Sequence, residues 1–269
     1  HSDKIGIIRK PENKNYSGLF PEWNSDNPIH IIAHSQGGQT ARVLEMLLKS
    51  SYTNESSDLL GTSLTGLIKS ITTISTPHNG TTLVPLLLDV FPFAIDLAPW
   101  LGGINLNSIN SIYNFDLEHW GLKKIPEENM ISYWNRIGNS PLANFNNLCS
   151  WDLSPKGADS LNSLYISDSS VYYFSFATYA TKLSKDKSKH IPGPNMSMLL
   201  RPTARLMGAN KNYENKWYEN DGICNTVSMY GPNGSLIKEF DGIPKKGVWQ
   251  VMPKLNIDHQ EVIGHLVNK

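Results

Sequence analysis

Residues 28–42 limit the fold of this chain more than any other stretch. Residues 29–33 form a short apolar run rich in β-branched side chains, which is typical of a strand buried in a parallel sheet. Ser35 follows in a turn of the form Ala-His-Ser-Gln-Gly, and the next segment repeats apolar residues with the period of an amphipathic helix. The apolar stripe of that helix holds Val43, Leu44, Leu47 and Leu48, and the charged residues off the stripe are Arg42, Glu45 and Lys49.

The chemistry of a nucleophilic serine explains the residue types in this turn. A serine on a strained turn exposes its Oγ above the sheet, and small residues such as Ala33 and Gly37 let strand and helix pass closely. Gln36 begins the helix, so its backbone N–H points at the position of an oxyanion. The alternative is a Gly-rich loop in which Ser35 only caps a helix. The strand before and the helix after favour the nucleophile elbow of an α/β-hydrolase fold.

Three further segments, 68–77, 171–177 and 247–252, are rich in β-branched and aromatic residues and are predicted as strands of the same sheet. We therefore expect one domain over residues 1–269, built on a mostly parallel, doubly wound sheet. Each pair of parallel strands with its helix needs ~30 residues or more, and the elbow lies near the start of the chain. We expect the first strands of the sheet upstream of His1, so that this chain is the C-terminal part of a longer protein.

The most apolar segment, residues 83–101, is predicted to begin a lid or cap insertion that extends over 83–137. Three prolines and two aspartates within it argue against a transmembrane helix. One interpretation is a lid that covers an acyl-binding site and opens on a lipid surface. The alternative is an ordinary buried cap segment.

Charge and cysteine content exclude several classes of protein. The formal net charge is +0 and no long basic run occurs, which argues against nucleic acid as a partner. Nothing in the sequence marks an anchor to an anionic membrane. With Cys149 and Cys224 as its two cysteines, the chain has no disulfide framework, and whether they pair stays open.

Two later motifs supply partners for Ser35. Asp221 lies in an Asn-Asp-Gly turn, and His259 lies in a loop near the C-terminus. The order serine, aspartate, histidine is that of α/β-hydrolases, so we predict a triad in which His259 is the base and Asp221 orients it. Rival acids are Asp241 and Asp258. His78, after the second strand, is a rival base, although we expect it to order its loop or line the pocket.

The motifs that complete the pattern are Ala33-His34-Ser35-Gln36-Gly37-Gly38-Gln39-Thr40-Ala41-Arg42, Ile71-Thr72-Thr73-Ile74-Ser75-Thr76-Pro77-His78-Asn79-Gly80-Thr81, His119-Trp120-Gly121-Leu122, Trp217-Tyr218-Glu219-Asn220-Asp221-Gly222, Lys246-Gly247-Val248-Trp249 and Asp258-His259-Gln260-Glu261-Val262-Ile263-Gly264. With them the chain resembles the thermoalkalophilic bacillus-type lipases and their staphylococcal relatives, nearly end to end. The resemblance implies a triacylglycerol lipase or carboxylesterase with a helical lid, the triad Ser35, Asp221 and His259, a lipid ester substrate at a lipid–water interface, and an extracellular or secretory location.

The resemblance also bears on metals, none of which the hydrolytic chemistry requires. The family holds a structural zinc with two Asp and two His, of which one His matches His1, the second falls at Ile7, and one Asp falls at Glu118. Isoleucine cannot ligate zinc, so the zinc set is incomplete. Calcium is implied by a carboxylate that matches Glu261, but the family's second carboxylate falls at about Leu266, and a hard cation wants several oxygens.

The resemblance implies two oxyanion donors. One falls in a His-Gly loop upstream of His1, so the chain itself contains only the other, the backbone N–H of Gln36. We expect the chain alone to be nearly inactive and poorly stable. If it proves active, the backbone near Asn79-Gly80 would have to supply the second donor. Two alternatives to a lipase stay open: a phospholipase or acyltransferase on the same triad, and a non-catalytic lipid-binding fragment.

Overall fold

A computed structural model of the chain describes residues 19–51, 63–90, 125, 128, 132, 136 and 149–265. Its strands, in chain order, are β1 (Ile29–His34), β2 (Ile68–Ile74), β3 (Tyr172–Phe176), β4 (Thr178–Tyr179), β5 (Thr181–Leu183), β6 (His190–Pro192), β7 (Ile237–Glu239), β8 (Trp249–Val251) and β9 (Leu255–Asn256). The α-helices with defined bounds are α1 (Gln36–Lys49), α2 (Leu83–Val90), α3 (Cys149–Leu153), α4 (Pro155–Leu164) and α5 (Arg201–Met207).

A five-stranded sheet in the order β1-β2-β3-β8-β7 forms the centre of the described structure, and all its pairs are parallel. The four strands predicted from sequence are confirmed as β1, β2, β3 and β8. β7 was not predicted, because residues 237–239 are too short and too polar to show a strand pattern. The small pairs β4–β9 and β5–β6 lie outside this sheet. The carboxyl ends of the parallel strands form one edge, where α/β proteins hold their ligands.

β1 differs from the fully buried strand that its apolar run predicts. It pairs with β2 on one side and, among the described residues, with no strand on the other. Its residues also alternate in burial, and Ile32, on the same face as the exposed His30, is 74% exposed. An apolar run therefore indicates a strand correctly, while its burial depends on neighbours that the run itself does not specify.

Helix α1 packs on the sheet, and its burial also differs from the predicted stripe. Arg42 and Glu45, placed on the solvent face by periodicity, are buried, whereas Val43, Leu44 and Leu47 are half-buried. The reason is a set of polar partners beneath the helix. The guanidinium of Arg42 donates to Asn162 Oδ1 at 2.5 Å and stacks on the ring of Tyr165. Glu45 accepts from the hydroxyls of Tyr165, at 2.6 Å, and Tyr173.

The start of helix α2 belongs to a hydrophobic core, because Leu83 and Val84 are buried against Leu200 and Met207 of the α5 region. The remainder of the predicted lid, residues 91–124 and most of 126–137, lies outside the described residues, so the lid stays a prediction. Among the described residues, no helix is long and apolar enough to cross a membrane.

Candidate active site

Ser35 occupies a strained turn between β1 and α1. Its φ of 54° and ψ of -131° lie in a region that non-glycine residues rarely adopt. The turn is fixed on both sides, because the N–H of Ser35 donates to Ile74 O at 2.9 Å and Thr76 Oγ1 donates to Ser35 O at 2.9 Å. The Ser35 side chain makes no capping hydrogen bond to α1. Ser35 is therefore the apex of an elbow and not a helix cap.

The close approach of strand and helix at the elbow depends most on Gly38. A Cβ on Gly38 would lie 2.2 Å from Thr76 Oγ1 and 2.9 Å from Thr73 Cγ2, which is impossible without rearrangement. A Cβ on Gly37 would lie 3.6 Å from Ala33 Cβ, which is ordinary contact. The sequence pattern places the small residue at Gly37, but the structure requires it more strictly at Gly38.

His259 lies against the serine, as predicted. Its Nε2 is 2.9 Å from Ser35 Oγ, and its Nδ1 is 2.8 Å from Asp221 Oδ2. A carboxylate accepts only, so Nδ1–H donates to Asp221 and Nε2 is left to accept the proton of Ser35. Both His259 and Asp221 are fully buried, which excludes water from the pair. This is the arrangement in which a histidine acts as general base towards a serine.

The Asn-Asp-Gly turn holds the carboxylate of Asp221 in place. Asp221 Oδ1 accepts from the N–H groups of Ile223, at 3.0 Å, and Cys224, at 2.8 Å, while Oδ2 accepts from Thr178 Oγ1 at 2.7 Å. Burial alone would raise the pKa of Asp221, but His259 and these hydrogen bonds outweigh it and hold the pKa below its usual value. Asp221 is therefore ionised when it orients His259.

The rival acids have other roles. Asp258 is also buried, but its Oδ2 accepts from Ser197 N at 2.8 Å and its Oδ1 accepts from the N–H groups of Gln260 and Glu261. It shapes the loop that carries His259 and makes no hydrogen bond to the imidazole. Asp241 is exposed and pairs with Lys245. Of the three aspartates, Asp221 is the one whose carboxylate accepts from the imidazole of His259.

His78 is not the base. It is fully buried, and its Nε2 is 3.0 Å from Thr73 Oγ1. Burial, and after it the charge of Arg42, lowers the pKa of His78 well below the usual value, so the ring is neutral. The expectation that it orders its loop is supported by its carbonyl, which accepts from Asn162 Nδ2 at 3.1 Å.

Gln36 is the first residue of α1, where backbone N–H groups have no partner within the helix. Its role as an oxyanion donor stays a prediction. The backbone near Asn79-Gly80 is not a second donor. The N–H of Asn79 donates to Ser228 Oγ at 3.0 Å, and that of Gly80 donates to Pro77 O at 3.0 Å. Both N–H groups therefore already have acceptors, one outside the loop and one within it.

Sequence reasoning missed three residues around the triad: Ser75, Thr178 and His34. His34 Nε2 is 3.0 Å from the carbonyl of His259, and the two rings lie 4.6 Å apart. Thr178 bonds to Asp221 and to Ser75. Their positions alone offered a signal, because Ser75 directly follows β2, Thr178 comes two residues after the end of β3, and His34 is the last residue of β1.

The described residues offer little for a metal ion. Among them, the one group of acid, cysteine and histidine side chains close enough to share a metal is Asp221, Cys224 and His259, which is the triad with Cys224 behind it. Glu261 is not in that group. A single carboxylate does not make up the oxygen set that calcium needs. The positions matched to zinc ligands, among them Glu118, lie outside the described residues, as does residue 266.

Comparison with known proteins gives consistent matches. The model of the family described as "Lipase-like, C-terminal domain" matches residues 1–268. A lipase from Staphylococcus epidermidis is 34% identical over 281 residues, which cover 98% of this chain and 39% of that protein. The chain therefore spans about two fifths of the length of that curated relative.

Two solved structures extend the comparison to the fold. EstA from Clostridium botulinum superposes with a TM-score of 0.79 at 34% identity, over 93% of this chain and 63% of that one. Lipase 1 from Pelosinus fermentans gives a TM-score of 0.72 at 36% identity, over 90% of this chain and 69% of that one.

Proposed function

Because this chain belongs to the lipase-like C-terminal domain family, we propose that it hydrolyses carboxylic esters of lipids through an acyl-enzyme on Ser35. The observation that carries the proposal is the unbroken chain of hydrogen bonds from Ser35 through His259 to Asp221, with Ser35 on a strained elbow. A loop serine without a base would show neither feature.

The geometry gives each residue a step. Ser35 Oγ attacks the ester carbonyl while His259 Nε2 takes its proton, and Asp221 stabilises the imidazolium that forms. The N–H of Gln36, at the positive end of α1, hydrogen-bonds the oxyanion. His259 then gives the proton to the leaving alcohol, and a water molecule, activated by the same nitrogen, releases the acid from Ser35.

The second oxyanion donor is proposed from the family resemblance to come from a His-Gly loop outside this chain. Loss of one such donor costs about 10²–10³ in kcat. Since Asn79 and Gly80 use their N–H groups elsewhere, we expect residues 1–269 alone to hydrolyse esters more slowly, by at least that factor, than a form of the protein that includes such a loop.

A lipid ester as the substrate, a lid over 83–137 and an extracellular location all rest on the family resemblance. If residues 83–101 form a lid, Leu87→Ser with Phe91→Ser should reduce hydrolysis of emulsified long-chain esters more than hydrolysis of soluble short-chain esters. Equal losses on both substrates, with a lower Tm, would mean that this segment is packed core.

The test of the proposed activity is hydrolysis of a short-chain p-nitrophenyl ester by the protein with its upstream sequence, measured for the wild type and for Ser35→Ala. We expect Ser35→Ala to lower kcat by several orders of magnitude with little change in Tm. Ser167→Ala is the matched control, because the Ser167 hydroxyl bonds Ser235 and Trp249, away from the triad. A wild type without turnover would instead favour a lipid-binding fragment.

A further inference from the structure

Two buried hydroxyl groups lie in line behind the catalytic carboxylate. Ser75 Oγ is 2.7 Å from Thr178 Oγ1, and Thr178 Oγ1 is 2.7 Å from Asp221 Oδ2. Both side chains are fully buried, as is Asp221. Neither hydroxyl contacts Ser35 or His259, so neither has a part in the reaction described above.

Chemistry determines the direction of both hydrogen bonds. The ionised Asp221 only accepts, so the single O–H of Thr178 donates to it. The Sδ of Met229, 3.4 Å from Thr178 Oγ1, is a weak acceptor and does not compete with a carboxylate. Because the Thr178 proton is already donated to Asp221, the hydrogen bond between the two hydroxyl groups must be donated by Ser75 and accepted by Thr178 Oγ1. The result is a chain of two hydrogen bonds, donated from Ser75 to Thr178 and from Thr178 to Asp221, which we call the relay; no proton is transferred along it.

The relay ends on the oxygen that orients the histidine. Asp221 Oδ1 is held by two backbone N–H groups, whereas Oδ2 is held by side chains alone, Thr178 and His259. These four donors fill the acceptor sites of the carboxylate. Thr178 is therefore the one partner, besides the catalytic histidine itself, that fixes where Oδ2 points.

Backbone contacts hold both hydroxyl groups in position, and at Ser75 they do so in a strained backbone conformation. Ser75 follows β2 with a φ of 51°, a strained conformation for a residue with a side chain, and its N–H donates to Phe176 O at 3.0 Å. Thr178 begins β4. β4 pairs with β9, which precedes the loop that carries His259. The relay thus joins the elements that carry the acid and the base.

We propose that Ser75 and Thr178 are positioning residues of the triad. They orient Asp221 Oδ2 towards the Nδ1–H of His259, and the hydrogen bond from Thr178 weakens the bond between Oδ2 and that proton. The proposal rests on the proposed function for its kinetic consequences. Without Thr178, Asp221 Oδ2 turns more freely and binds the Nδ1 proton more strongly, because no second donor competes for it.

The kinetic test compares Thr178→Val, which removes the hydroxyl at nearly constant volume, with Thr178→Ser, which retains it. Thr178→Val should lower kcat about tenfold and leave KM within about twofold, because the misplaced base affects the chemical step and not substrate binding. Thr178→Ser should restore most of kcat. Ser75→Ala, which leaves the Thr178 donor in place, should cause a smaller loss of kcat with the same unchanged KM.

The control is Thr226→Val, which removes a buried hydroxyl bound to the carbonyl of Thr178 and not to the carboxylate. It should lower Tm and leave kcat unchanged. If Thr178→Val has the kcat of Thr226→Val, or if Thr178→Ser is as slow as Thr178→Val, the relay is structural and the proposal is wrong.

A readout that does not need turnover separates this proposal from the proposed function. The proton NMR signal of His259 Nδ1–H should move downfield in Thr178→Val, because its bond to Asp221 becomes stronger, and should return in Thr178→Ser. An unmoved signal overturns the relay even if the wild type hydrolyses esters. A moved signal in a protein without turnover supports the relay and rejects the esterase. If Thr178→Val does not fold, the same signal in Ser75→Ala decides, with a smaller shift expected.

Discussion

Two buried aspartates near His259 differ in what they hold. Asp221 orients the imidazole, whereas Asp258 orders the loop by accepting from Ser197 N and from its own two neighbours. We predict that Asp221→Asn lowers kcat by about 10⁴, because an amide stabilises the wrong imidazole tautomer. Asp258→Asn, whose Oδ1 still accepts, should keep kcat within about tenfold. The assignment of the acid would be reversed if Asp258→Asn abolished turnover and Asp221→Asn retained it.

The elbow offers a test of packing with a control one residue away. Gly38→Ala should lower the free energy of unfolding by about 1–3 kcal/mol, because its Cβ would collide with Thr76 and Thr73. Gly37→Ala places its Cβ in ordinary contact with Ala33 and should be neutral or slightly stabilising, since alanine favours a helix. Denaturant unfolding measures both variants, and equal stability of the two would contradict the close approach at Gly38.

His34 predicts how stability depends on pH. Burial, together with the charge of His259, lowers the pKa of His34 to about 4, below the usual 6.5. The unfolded chain therefore binds a proton between pH 6.5 and 4 that the folded chain does not, and stability from this residue is lost as pH falls through that window. The Tm of His34→Asn should fall less steeply over this range than the Tm of the wild type. His30→Asn, an exposed histidine on the same strand, is the control, and slopes that match in all three proteins would show that His34 has no such effect.

At the residue scale, the sequence predicted the triad because serine, acid and base each lie in a recognisable local pattern. It named Asp221 as the acid and left Asp258 as a rival, since both lie in turns and the distinction depends on which carboxylate meets the imidazole. Ser75 and Thr178 were not predicted for the same reason. A hydroxyl directly after a strand is common, and only the fold brings these two in line with Asp221.

At the element scale, the strands of the sheet were predictable because parallel strands are apolar and β-branched. The burial of α1 was not, because periodicity counts Arg42 and Glu45 as solvent-facing. In the interior, Arg42 donates to Asn162 and stacks on Tyr165, and two tyrosine hydroxyls donate to Glu45. The apolar run also did not predict that β1 has a single neighbour within the described ranges, since such a run does not specify how many neighbours a strand has.

The edge of β1 has a measurable consequence for the 269-residue chain. An unpaired apolar strand edge invites pairing with another chain. Since β1 has no second neighbour among the described residues, we expect the chain to self-associate as its concentration rises. Ile32→Lys should reduce that association, because a charge on the edge opposes pairing. Ile166→Lys is the control, since Ile166 is 80% exposed but lies outside any strand. Sedimentation velocity measures both, and equal behaviour of the two variants would reject the edge as the contact.

At the scale of the whole molecule, the fold brings together three residues that lie far apart in sequence at the carboxyl ends of parallel strands. The predicted family and the α/β-hydrolase fold are confirmed by the family model and by the two solved structures, EstA from Clostridium botulinum and lipase 1 from Pelosinus fermentans. Substrate and location remain proposals, because the chain covers 39% of the curated relative that it matches. The lid and the metals could not be tested, since their residues lie largely outside the described ranges.

The most direct test of the account is the site of covalent reaction with a fluorophosphonate, identified by mass spectrometry of peptides. The account predicts a single adduct on Ser35, absent in Ser35→Ala and slowed by about 10³-fold or more in His259→Ala. An adduct on another residue, or labelling of Ser35→Ala at the rate of the wild type, would contradict the assignment of Ser35 as the nucleophile.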